Sequence, residues 1–119
     1  MLTYYFLMVF GHYLADYPLQ GEFLAKNKNP NEKNPDIEWP SAMMAHCSIH
    51  AGFVFLFTAN PILAVAEFIA HWFIDVAKCN GKISHNVDQG LHILSKIIWA
   101  FLAVTIFKDI SHPFIPFFI

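Results

Sequence analysis

Apolar residues fall in four long blocks along this chain, at 2–24, 41–59, 61–79 and 87–108. A hydrocarbon core of about 30 Å takes about 17–25 helical residues to cross, so each block is long enough. The pattern predicts an all-α polytopic membrane protein, a four-transmembrane-helix bundle in one domain, 1–119. The first linker, AKNKNPNEKNPDIEWP, has the Asn, Pro, Lys and acids of a solvated loop. The second is only the corner at Asn60 and Pro61, where proline suits the first turn of a new helix, so the two middle helices should form a tight hairpin. The third, NGKISHN, opens on an Asn-Gly turn signal and ends at Asn86, the expected cap of the last helix. The tail SHPFIPFFI, interrupted by Pro113 and Pro116, is expected to lie along the membrane interface.

Composition supports the membrane as solvent. Only 13% of residues are charged against 56% apolar, where a soluble domain has about a quarter charged to cover its surface. A net charge of -2 leaves no basic footprint for nucleic acid. The first block lacks a basic start and a small-residue cleavage site, so it is expected to stay in the mature protein. Cys47 and Cys79 form no C-x-x-C pair and read as buried fillers. Lys26, Lys28 and Lys33 in the first loop and Lys78 and Lys82 around the third predict that loops 25–40 and 80–86 are cytoplasmic; Lys108, near the other end, runs against this.

The chemistry lies in what interrupts the apolar blocks. An ionisable group deep in hydrocarbon costs at least ~2.5 kcal/mol, so it normally faces a bundle interior and serves a function. His12 and Asp16, His46 and His50, Glu67, His71 and Asp75, and Asp88 and His92 are each spaced by four within a block, which sets them on one helical face. They lie late in the first and third helices and early in the second and fourth. Alternating helix direction therefore brings all four stripes to one depth. Lys96 extends the last stripe by a turn and is expected to pair with a carboxylate or snorkel, and Gln20 and Gln89 to hydrogen-bond the cluster.

Imidazoles and carboxylates at such spacing on facing helices suit a divalent metal. With thiolates nearly absent, zinc, manganese or iron fits better than copper, and the histidines disfavour calcium. One or two ions are expected, held by His12, Asp16, His46, His50, His71, Asp75 and His92. Glu67 or Asp88 is the expected proton-transfer group, and Lys78 is available for a phosphate. His85 and His112 fall in expected loops and take no role. The His-aromatic-x-x-Asp runs at 12–16 and 71–75 echo each other, as a duplicated two-helix unit would.

The elements His12-x-x-x-Asp16-Tyr17-Pro18-Leu19-Gln20 with Lys26, His46-x-x-x-His50, His71-x-x-x-Asp75-x-x-Lys78 and Asp88-Gln89-x-x-His92 resemble a domain-of-unknown-function family of small integral membrane proteins from bacteria, phages and prophages. The resemblance covers nearly the whole chain and implies a helical protein of the bacterial inner membrane, with no established activity. In style of motif alone, the chain is also similar to membrane-bound metal-dependent hydrolases. The expected function is hydrolysis of a lipid or amphiphilic ester or phosphoester, with a homodimer enlarging a small site. The alternative is a non-enzymatic phage-type membrane protein, using the same residues for helix packing, for metal or proton transfer, or for a host membrane partner.

Overall fold

The computed structural model describes residues 1–112, so the expected course of the tail from Pro113 onward lies outside the described residues. Five helices and no strand are formed among them: α1 (Leu2–Asp16), α2 (Gly21–Asn27), α3 (Trp39–Thr58), α4 (Pro61–Cys79) and α5 (His85–Val104).

The block expected as one helix to Leu24 is divided. Pro18 has no N–H to give the ladder and disfavours helical geometry at Tyr17, so α1 stops at Asp16. The chain re-enters a helix through Gly21, whose φ of +63° favours glycine. The corner before α4 forms as its residues suggest: the Asn60 side chain accepts from the Ile62 and Leu63 amides at 2.9 and 3.3 Å, with Pro61 in the first turn. For α5 the cap is Ser84, which accepts from Val87 N at 3.1 Å, and Asn86 lies inside the helix. His85 is thus the first residue of α5, and the helix ends at Val104, short of Lys108, in a run of turns.

The long helices close into a ring, α1 on α3, α3 on α4, α4 on α5 and α5 back on α1, with α2 lying against α3. At Gly11 the first two approach so closely that a Cβ would sit 2.9 Å from Phe57 and 3.2 Å from Phe53. One end of the bundle is apolar, where Val54, Leu63 and Ala103 pack with Tyr4, Trp99, Leu102 and Phe107. Chain from beyond α5 closes this end: Asn60 donates to Ser111 Oγ at 3.1 Å, and His112 N donates to Thr58 O at 2.7 Å. At the other end both basic loops meet, Asn31 donating to Cys79 O and Asn80 Oδ1 at 3.1 and 2.9 Å.

Polarity is inverted relative to a water-soluble fold. Five histidines, Glu67, Asp75, Asp88 and Lys96 are buried, while Phe6, Phe10, Val65, Ile69, Phe73 and Phe101 are exposed. Two helices, Trp39–Thr58 and His85–Val104, are long and apolar enough to cross a membrane. The helix α4 is nearly as long but carries Glu67, Asp75 and Lys78, and α1 has 15 residues, about 22 Å at 1.5 Å per residue.

Candidate metal centre

Spacing by four carries through to side-chain position: each long helix turns one polar stripe to the axis. The stripes meet closest between α1, α3 and α4. One ligand atom each from Asp16, His46, His50 and His71 lies within 4.8 Å of all the others. Asp16 Oδ1 is 3.3 Å from the Nε2 atoms of both His46 and His50, and His46 Nε2 is 3.1 Å from His71 Nε2. A tetrahedral shell with bonds of about 2.0–2.1 Å has edges of about 3.3–3.4 Å. The Asp16–His46, Asp16–His50 and His46–His71 edges already stand near that length.

Hydrogen bonding also points to an absent partner. The Nδ1 atoms of His12, His46, His50 and His92 are buried without a hydrogen-bond partner, whereas buried polar groups are almost always satisfied. Charge tells the same story. Asp16, Glu67, Asp75 and Asp88 face the interior, where Lys28 pairs with Asp75 and Lys96 with Glu67. Asp16 and Asp88 have no lysine within ion-pair distance among the described residues, and a divalent cation would help to balance them.

The remaining stripe residues surround this group. Glu67 has no free oxygen: Oε1 takes Lys96 Nζ at 2.5 Å and lies 3.3 Å from His71 Nδ1, and Oε2 accepts from Trp99 at 2.6 Å. It stands behind His71, where a carboxylate can orient a ligating ring. Asp75 lies 3.4 Å from His46 Nε2 but is held by Lys28 Nζ at 2.5 Å. His12 and His92 fall outside the four-residue group. His12 Nε2 is 3.0 Å from Gln89 Oε1, and the His92 ring stacks on His71 with centroids 4.1 Å apart. Asp88 lies 3.3 Å from His92 Nε2. Gln89 joins the two sides, donating to Asp16 at 2.8 Å and to Asp88 at 3.1 Å. Gln20 reaches only the backbone oxygen of Asp16. Lys78 is half-buried and makes no ion pair among the described residues.

The two echoed runs meet at one atom, Asp16 and Asp75 flanking His46 Nε2 from opposite helices. A family model described as a protein of unknown function, DUF3307, matches residues 4–117. The chain belongs to that family. No curated protein and no solved structure matches it. In this DUF3307 chain, sequence reasoning missed Lys28 and Trp99. Trp99 is one turn below Lys96 on the same face, so spacing could have found it. Lys28 had no such signal, since it lies in a loop of solvated composition.

Proposed function

We propose that the chain is an intramembrane metalloprotein whose α1, α3, α4 and α5 all cross the bilayer and whose Asp16, His46, His50 and His71 hold one divalent ion, zinc by preference. The four-residue chelating group carries the metal reading. The span reading is supported by inversion: Phe, Ile and Val face outward while the ionisable groups face one another, the arrangement hydrocarbon favours. In α4 it is the charged stripe itself that lowers the hydropathy, so that helix crosses by virtue of its partners.

The reaction we assign is hydrolysis of a lipid or amphiphilic ester or phosphoester. The ion would supply Lewis acidity and lower the pKa of water toward ~7. Among the four ligands Asp16 is the most exposed, its side chain 11% accessible against 0–1% for His46, His50 and His71, so exchange with water or a head group is confined to its side. That side is the end of the basic loops, which the positive-inside rule places in the cytoplasm of a bacterial cell. Asp88 is the better remaining proton carrier, because its carboxylate meets His92 and Gln89 and has no lysine within ion-pair distance among the described residues. A through-membrane ion path is less favoured, since the apolar cluster of Val54, Leu63 and Ala103 fills the opposite end.

The test is elemental analysis of the protein purified in detergent, alongside release of product from vesicles of ester- or phosphoester-linked lipids. About one ion per chain, lost in His71→Ala and Asp16→Ala, supports the centre, and turnover lost with it supports the hydrolase. Turnover that survives complete metal removal would falsify the enzyme reading.

A further inference from the structure

Two carboxylates stand at the same range from His46 Nε2, Asp16 at 3.3 Å and Asp75 at 3.4 Å. Their own partners differ. Asp16 has the neutral amide of Gln89, whereas Asp75 has the ammonium of Lys28 at 2.5 Å. Lys28 is only 6% exposed, although it comes from the first loop. Its position is set by its neighbours. Asn27, fully buried, donates to Phe23 O at 2.9 Å and accepts from the Asp36 amide at 2.7 Å, and Asn31 fastens the same loop to the end of α4. The ammonium is thus delivered to Asp75 from a folded strap that fixes the backbone around Lys28.

A carboxylate bound this tightly to a fixed cation is not free to neutralise an ion beside it. We infer that Lys28 sets the coordination number of the metal centre by withholding Asp75 as a fifth ligand. The shell is thereby kept at three histidines and one aspartate. Four-coordinate nitrogen-rich shells suit zinc, while a second carboxylate and a larger shell suit manganese or iron. Lys28 is a positioning residue in this scheme, acting through Asp75, and the inference rests on the metal reading above.

The experiment loads the purified full chain in detergent with cobalt(II) and, separately, with an equimolar mixture of zinc and manganese. Wild type is expected to show the strong visible bands of tetrahedral cobalt. Lys28→Met should lose them and raise the manganese-to-zinc ratio about tenfold, the lower end of what an outer-sphere change does to metal affinity. Lys28→Arg should keep the wild-type spectrum, and Lys28→Met/Asp75→Asn should recover it, which a merely structural role would not produce. If Lys28→Met does not fold, Lys28→Gln carries the same expectation. A wild-type spectrum in the charge-removed variant overturns the inference and leaves the metal centre standing, as does an altered spectrum that persists in the double variant. Wild type that takes up no cobalt overturns both.

Discussion

The Nε2 atoms of His46 and His71 face each other at 3.1 Å across the contact between α3 and α4. At most one proton lies between them, so at least one lone pair is directed into the interior of the bundle. Replacing either ring removes half of this pair, and metal content should fall from about one ion per chain to near zero in His46→Ala and in His71→Ala. Elemental analysis after gel filtration checks this, and retention of the ion in either variant would remove the residue from the shell.

Metal should also hold the bundle together. A ligand bound only by the folded state stabilises it by about 2.7 kcal/mol at a hundredfold excess over Kd. Prolonged chelation should therefore lower the thermal midpoint in detergent, and one equivalent of zinc should restore it.

The buried pair Glu67 and Lys96 makes a sharper prediction about stability. Removing one partner of such a pair costs about 3–5 kcal/mol because a charge is left buried alone. Lys96→Met and Glu67→Gln should each destabilise the fold by an amount of that order, and the double variant by less than the larger single. Glu67→Gln should in addition weaken metal binding by about 10–100-fold, since it removes the carboxylate behind His71. Chemical unfolding of all three variants closes the cycle.

Helix contact separates the glycines. Gly11→Ala pushes a methyl into Phe57 and Phe53 and should cost about 1–3 kcal/mol by overpacking. Gly90→Ala, in open space inside α5, should be stabilising by about 0.5–1 kcal/mol. Equal effects at the two sites would contradict the close approach of α1 to α3.

At the loop end, Asp36 accepts from Asn27 and Lys26, and both hold its carboxyl below the usual value. A depressed pKa means that the contribution is present at neutral pH and is lost as pH falls through the folded-state value. Protection factors of the Asp36 and Ile37 amides, taken relative to the intrinsic exchange rate at each pH, should then fall in acid while those in the middle of α3 stay high.

Much of the architecture was legible because the outward-facing and interior-facing residues differ so strongly. His71 and Asp75 sit a turn apart, and so do His46 and His50, and that spacing alone was enough to foresee that their side chains share a face. What spacing does not carry is the distance between helices. His12 has the same pairing with a carboxylate as His71, yet it lies beside Gln89 and outside the four-residue group, because α1 meets α5 there as well as α3. Pro18 and Gly21 are helix breakers inside the block read as one helix to Leu24, and the length of that block masks them. Lys28 was hidden for a different reason. Its partner is 47 positions away, and only the fold of the first loop brings the two together.

The pair of Lys96 and Glu67 also bears on how such a sequence can change over generations. Loss of either charge alone leaves the other stranded in the interior, so a lineage that abandons the pair has to pass through a damaged intermediate or replace both at once. Sister sequences of the family should therefore carry both residues or neither, and the interior of the bundle should evolve in jumps while the Phe and Ile of its outer surface drift freely.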